Sequence, residues 1–384
     1  MGKKAISYVG WLGHQNIGDE AIYNAIRELL SEYTLTPYNS YNFLVENNRL
    51  PFMRIECPIS LVSVFGGGAL LPDDVTWIKP NKYNYVFGAG VKDPIFRTKF
   101  SNFDKIVIDR LRCFNFRFVG VRDKPSKLLL DEWGIASEVI GDPALSFKAN
   151  SEIKRDDYRI AVNIGCDGFL WGGHQERVVH EVTQVCKILK DSGYTPVLVP
   201  FSRRDLENIN RVSSAAKIEV FDKWFDTKSV VDFIASSKVL IGQRLHSVVL
   251  SAAAFTPFIC LEYRPKCLHF SESVAMLDYT VRTDRVTAEK ILQLFQNLMN
   301  KWVQTRNKLA GVVKAYRETQ RLFADRITRD VKSLPDNNTS SVSLSIKVKN
   351  ELFWTPDLFF RYNFRKLWAL YNRLIFIRTM RYLT

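Results

Sequence analysis

Arg244 and His246 stand two residues apart, just after the apolar run Val239–Ile241 and its terminating Gly242. Lys266 follows a second apolar run, Phe258–Leu261, and the polar residues Glu262, Tyr263 and Arg264. Two permanent cations beside a titratable imidazole can hold a phosphate and a carboxylate while supplying a proton. Each residue alone has a plainer reading. A histidine near an apolar run is more often packed and neutral, and an arginine at a strand end more often a surface ion pair. Their grouping favours chemistry. The segment from Val239 to Lys266 reads strand, helix, strand, and in parallel sheets ligands bind outside the carboxyl ends of the strands. All three side chains belong to that edge, which predicts a site for an anionic substrate.

Further candidates lie earlier in the chain. The loop Gly10–Gly18 separates a strand, Ala5–Val9, from a helix starting at Asp19, whose Ala21, Ile22, Ala25, Ile26, Leu29 and Leu30 share one face. Its glycines do not fit G-x-G-x-x-G, and no G-K-[ST] ending follows, so NAD, FAD and P-loop nucleotides are disfavoured. Asp19 and Glu20 also put negative charge where a phosphate would sit. Asp19 is a helix cap on the simpler reading and an acceptor for a sugar hydroxyl on the functional one. Gly66–Gly68 end a strand, where glycine permits positive φ or close chain approach, whether at a cleft or in a tight exit. Arg122 ends the strand Arg117–Val121 and can grip a carboxylate or phosphate bidentately, or pair with Asp123 or Asp142. The five histidines lack metal-binding spacings and no cysteine pairs with them, so no metal site is expected. There is no G-x-S-x-G elbow.

These residues need a scaffold, and the rest of the chain reads as one. With 384 residues, 46% of them hydrophobic and 24% charged, the chain is globular and long enough for two or three domains. Strands are predicted at Ala5–Val9, Leu61–Phe65, Tyr83–Phe87, Arg117–Val121 and Glu138–Ile140. A second strand–helix series brings strands at Ile160–Ile164, Pro196–Val199 and Ile218–Phe221, and helices at His174–Lys190 and Ser229–Ser236. From Thr287 to Asp330 the pattern is helical. The expected fold is α/β, with two Rossmann-like domains facing across a cleft. The boundaries are 1–148 for the first domain, 149–157 for a linker and 158–330 for the second, with a flexible segment and tail over 331–384.

The tail changes character. From Lys347 on, eight Lys/Arg stand against two Asp/Glu, interleaved with Phe, Trp and Tyr. A basic aromatic helix of this kind suits an anionic membrane surface, a packed face or a partner protein, and the sequence leaves these open. The cysteines show no C-x-x-C pair and several lie in apolar runs, as expected of thiols in a reducing compartment. The start, Met1-Gly2-Lys3-Lys4, runs at once into apolar Ile6–Val9, too short for a signal peptide. A cytoplasmic protein without a transmembrane helix is expected, peripheral on the inner face of the membrane if the tail engages lipid. The net charge of +14 is accompanied by no recognised nucleic-acid module, so nucleic acid is not an expected partner. The oligomeric state is not legible.

Seven segments, in order, resemble the polysaccharide pyruvyl transferase family: GHQNIGDEAI from Gly13, GGGALL from Gly66, VRDKPS from Val121, GDPAL from Gly141, NIG from Asn163, RLHS from Arg244 and YRPK from Tyr263. The resemblance spans about residues 5 to 275, and the tail lies outside it. It implies a fold like that of GT-B glycosyltransferases. It also implies that phosphoenolpyruvate, as donor substrate without a further cofactor, gives its enolpyruvyl unit to two hydroxyls of a glycan or lipid-linked saccharide. The family's donor site corresponds to Arg244, His246 and Lys266, with His246 the natural acid, and Asp19 is our choice of base. Arg122, Asn16, Gly18, Gly67, Gly68 and Ser247 stand in the same motifs and are the other expected substrate-binding positions. Two readings compete: a nucleotide-sugar glycosyltransferase, and a non-catalytic membrane-associated protein of the same fold.

Overall fold

The computed structural model describes residues 3–12, 15–37, 41–42, 53–54, 60–68, 70–71, 81–91, 108–109, 111–165 and 170–334. The chain divides into two compact units, Met1–Val342 and Ser343–Thr384, and every described residue belongs to the first. The basic aromatic tail therefore lies outside the described residues.

The first half supplies β1 (Ala5–Val9), α1 (Ile17–Leu29), β2 (Thr34–Pro37), β3 (Tyr41–Asn42), β4 (Met53–Arg54), β5 (Val62–Gly66), β6 (Tyr83–Ala89), β7 (Phe116–Val121), α2 (Lys124–Glu132) and β8 (Glu138–Val139). Six of these strands form a parallel sheet in the order β2-β1-β5-β6-β7-β8. The second half supplies β9 (Asp156–Asn163), α3 (Gln175–Asp191), β10 (Thr195–Leu198), α4 (Leu206–Ala216), β11 (Glu219–Val220), α5 (Thr227–Ala235) and β12 (Ser237–Gly242). It continues with α6 (Leu245–Ala253), β13 (Phe258–Glu262), α7 (Pro265–Ser273), β14 (Thr280–Arg282), α8 (Ala288–Asn300) and α9 (Trp302–Ser333). Its sheet is again parallel, in the order β11-β10-β9-β12-β13-β14.

Parallel strands covered on both faces read as continuous apolar runs, which is why β5, β12 and β13 are apolar and almost wholly buried. In each sheet the order of strands reverses once, between β1 and β5 in the first and between β9 and β12 in the second. Such reversals open a crevice at the carboxyl ends of the flanking strands.

Strand β9 begins at Asp156, two residues inside the segment expected as linker. The helical stretch expected from Thr287 is two helices, broken at Lys301. The second of these, α9, crosses back to the first half. Phe323 meets Phe87 edge-on at 5.3 Å between ring centroids. Asp330 accepts from the Tyr85 hydroxyl at 2.5 Å and from Arg117 Nη2 at 2.6 Å. Together α1, the Pro143–Ser146 turn, α6 and α9 form the seam between the halves. No helix among the described residues is long and apolar enough to cross a membrane.

Candidate active site

Both sheets turn their carboxyl ends toward one cavity of about 320 Å³. Loops after β1, β5 and β7 bring Asn16, Asp19, Gly68 and Arg122 from the first half. Loops after β10, β12 and β13 bring Phe201, Arg244, His246, Tyr263, Arg264 and Lys266 from the second. The seam is stitched at this point. The Ile17 amide donates to the Phe201 carbonyl at 3.0 Å, and Asn16 bridges to Ser202.

Arg244 is extended, just before α6 begins, and its amide donates to Asn163 Oδ1 at 3.0 Å. Its guanidinium donates to Asp205 Oδ1 through Nε at 2.9 Å and Nη2 at 2.5 Å. Asp205 is fully buried, and its other oxygen accepts from the Phe201 amide at 3.1 Å. Burial pushes the Asp205 carboxyl up while the Arg244 guanidinium pulls against it. Gly165 makes room for this arm, because a Cβ there would lie 2.8 Å from Arg244 Nε. The ion pair foreseen as the plain reading of Arg244 thus exists, and it is an internal pair that aims the guanidinium at the cavity rather than a surface one.

His246 lies in the first turn of α6, pressed against Gly18, where an added Cβ would come within 2.0 Å of the ring. Its Nε2 is buried without a hydrogen-bond partner and faces Asp142 Oδ2, equally unpartnered, at 3.8 Å. Burial, followed by the charges of Lys266, Arg122 and Arg244, brings the imidazole down to about 3. Burial lifts the Asp142 carboxyl to about 6 against the pull of Arg122. The cavity therefore sets a neutral imidazole opposite a carboxyl that is mostly ionised at neutral pH.

Asp19 is not the helix cap. Helix α1 starts two residues earlier than expected, and Asn16 caps it, its Oδ1 accepting from the Gly18 amide at 3.2 Å. Asp19 falls in the first turn instead, only 8% exposed, with its carboxyl on the cavity. Burial, reinforced by Glu20, raises it to about 8, with Lys266 and Arg244 pulling the other way.

Arg122 combines both of its readings. It donates through Nε to Asp123 Oδ2 at 3.0 Å and also lines the cavity. Asp123 in turn caps α2, accepting from the Ser126 amide at 2.9 Å. Burial pushes the Asp123 carboxyl up, but Arg122 and Ser126 outweigh it and hold the group below the ordinary range. Lys266 is the second residue of α7, half-buried, with its ammonium 5.2 Å from the centre of the Tyr263 ring.

Three expected substrate contacts do not line the cavity. The Ser247 hydroxyl donates to the Arg244 carbonyl at 2.7 Å and is fully buried. Gly67, at φ +65°, packs against Ile22, and Gly18 lies beneath the imidazole. Asp142 and Asp205 were not among the expected site residues. Asp142 carries a signal in the GDPAL motif, whereas that of Asp205 is position alone, in a polar loop that follows a strand. Among the described residues no three His, Cys, Asp or Glu side chains are grouped to hold a metal ion.

The family model for polysaccharide pyruvyl transferase matches residues 16–265. No curated protein matches the chain. Among solved structures, a UDP-glucosyltransferase from Polygonum tinctorium is similar at a TM-score of 0.54 and 11% identity, over 87% of this chain and 99% of that one. The Phytolacca americana protein UGT2, complexed with UDP-2-fluoro-glucose and pterostilbene, is similar at 0.50 and 12%, over 86% and 99%. At such identities the likeness concerns fold, and the fold is the two-domain α/β arrangement of GT-B glycosyltransferases.

Proposed function

The chain belongs to the polysaccharide pyruvyl transferase family, and from that premise we propose that its cleft transfers the enolpyruvyl unit of phosphoenolpyruvate to two hydroxyls of a sugar. The observation that carries this reading is the convergence of Arg122, Arg244 and Lys266 with His246 on one cavity. Three cations match a donor bearing a phosphate and a carboxylate, and planar guanidinium groups suit both.

The chemistry then follows from proton traffic. The donor's methylene must gain a proton to become a methyl group, which makes the adjacent carbon oxocarbenium-like and open to attack. His246 supplies that proton. One sugar hydroxyl attacks, phosphate leaves, and the second hydroxyl closes the cyclic ketal. Of the two hydroxyl protons, one balances the proton taken by the methyl group and the other leaves with phosphate. Asp19, across the cavity, accepts from the attacking hydroxyl. Burial first, and then the charges of Lys266, Arg122 and Arg244, keep His246 neutral. An anionic donor among those cations offsets the second cause and favours the imidazolium that gives the proton. Asp142, opposite Nε2, steadies the imidazolium that forms.

The acceptor in this reading is a glycan of a surface polysaccharide or its lipid-linked precursor, and the basic aromatic tail holds the enzyme where such lipids sit. A nucleotide-sugar glycosyltransferase shares the fold and can use the same cations for its diphosphate, but the pairing of Arg244 with His246 favours the pyruvyl transfer.

The test is direct: incubate the protein with phosphoenolpyruvate and candidate glycosides, and follow phosphate release together with the mass of the sugar. Phosphate release with a gain of one ketal-linked pyruvate is expected, and its loss in His246→Ala and Arg244→Ala variants that remain folded. Turnover of a nucleotide sugar and of no phosphoenolpyruvate would overturn the proposal.

A further inference from the structure

The edge of the second sheet opposite the cleft carries cations for which the transfer reaction has no use. Arg155 directly precedes β9, Lys238 is the second residue of β12, and Arg306 lies in the first turns of α9. All three surround the ring of Trp302, the first residue of α9. Lys238 Nζ is 3.9 Å from the ring centre, and the guanidinium carbons of Arg155 and Arg306 are 5.1 and 5.7 Å away. The indole is held in place by its own N–H, which donates to the Lys238 carbonyl at 2.9 Å.

The cations outnumber their counter-charges. Asp157 pairs with Lys238 at 2.7 Å but is 68% exposed. Among the described residues Arg155 donates to neutral acceptors, the Phe255 carbonyl at 3.4 Å and Thr256 Oγ1 at 3.3 Å, and it feels the charge of Asp157 without a hydrogen bond to it. The Nε atoms of both Arg155 and Arg306 are buried without a hydrogen-bond partner. Burial and the neighbouring charge of Arg306 bring the Arg155 guanidinium down to about 10. Cation–π attraction to an indole takes up none of the guanidinium's N–H donors. Two half-buried arginines held together with unspent donors are costly unless an anion joins them.

We propose that Arg155, Lys238 and Arg306, arrayed around Trp302, form a second anion site that takes a phosphate group. The planar forks of two arginines and one ammonium are the donor set that phosphate oxygens accept from. The site lies about 20 Å along β12 from Arg244, at roughly 3.3 Å per residue, so it is separate from the cleft. It is also independent of the reaction assigned there.

Calorimetric titration of the full-length protein with inorganic phosphate tests it. The expected result is a site that survives Arg244→Gln but weakens about tenfold or more, or disappears, in the Arg155→Gln/Arg306→Gln double variant. Phosphate binding unaffected by the double substitution overturns the proposal, as does its absence in Arg244→Gln. Thermal unfolding in phosphate-free buffer is a second measurement. Relief of like-charge repulsion leaves the midpoint of the double variant unchanged or higher, whereas a packing role alone lowers it with no dependence on phosphate. A lipid headgroup and a dissolved phosphate share this chemistry. Given the phosphate-binding difference, weaker co-sedimentation of the double variant with vesicles of phosphatidylcholine and phosphatidic acid identifies a headgroup. Equal co-sedimentation identifies a dissolved phosphate group.

Discussion

Asp19 and His246 face one cavity with their protons displaced in opposite directions by the same cause. Burial favours the uncharged form of each, so the carboxyl rises to about 8 and the imidazole falls to about 3. If Asp19 is the base that takes the hydroxyl proton, it works only when ionised. With His246 charged at saturating donor, the rate at low acceptor concentration should climb as pH rises toward about 8 and fall again where the imidazolium loses its proton. Asp19→Asn is expected to remove that rising limb and to cost on the order of 10²-fold in kcat/KM. Measuring kcat/KM for the acceptor from about pH 6 to about pH 9 decides it, and an unchanged profile in the variant would strike Asp19 from the role. Stability carries the same signature with a fixed sign. Folding raises this carboxyl from 3.8 to about 8, so the stability it contributes is complete at acid pH and lost as pH rises through about 8. Asn, which cannot ionise, should thus help the fold most in alkaline buffer. The sequence made these residue types legible but not their charge states, because burial is set by chain brought in from elsewhere. The Asp205–Arg244 pair spans 39 positions, and nothing local to either residue announces it.

At the level of elements, one buried amide ties the last helix to the site. Gln320 is fully buried in α9. It accepts from the Ser146 hydroxyl at 2.6 Å and donates to the carbonyls of Ile140 at 3.1 Å and Asp142 at 2.9 Å. The helix thereby fixes the Pro143–Ser146 turn and with it the carboxyl that faces His246. Gln320→Leu keeps the bulk but leaves buried donors and acceptors unmet, which should cost about 2–4 kcal/mol in denaturant unfolding. Turnover should fall at temperatures where the variant is still folded, because the turn carrying Asp142 loses its anchor. Full turnover with lowered stability would confine the amide to a structural role. Most strands of both sheets were readable, since buried parallel strands such as Val239–Ile241 are unbroken apolar runs. So were the shorter edge strands Glu138–Val139 and Glu219–Val220, whereas the edge strands Thr34–Pro37 and Thr280–Arg282 were not. Nor was the return of α9 to the first half, because Gln320 and Asp330 look in sequence like the solvent face of any helix.

For the molecule as a whole, the two switch points are set against each other, so that acceptor-side and donor-side loops meet at one cavity while both sheets stay buried behind it. Among the described residues, those lining that cavity lie between Trp11 and Lys266. The charge is distributed otherwise. Of the net +14, residues 347–384 carry eight positive and two negative charges, or +6, which leaves +8 for the other 346 residues. A basic aromatic segment outside the catalytic unit fits the proposed role of attachment to an anionic membrane better than a part in the chemistry, with each cation near such a surface contributing about 1 kcal/mol. Removal of residues 335–384 should then leave turnover of a water-soluble acceptor within about twofold while sharply reducing co-sedimentation with vesicles rich in anionic lipid. The binding that is lost should be the salt-sensitive part, because surface attraction is screened over about 10 Å at 0.1 M salt. On a lipid-linked acceptor presented in the same vesicles the shortened chain should show a raised KM with kcat retained, since attachment raises the local concentration of enzyme and leaves the cleft untouched. If instead the shortened chain binds vesicles as well as the full one, the tail is not the anchor. A fall in its turnover of soluble acceptor would then place the tail's contribution in the catalytic unit itself.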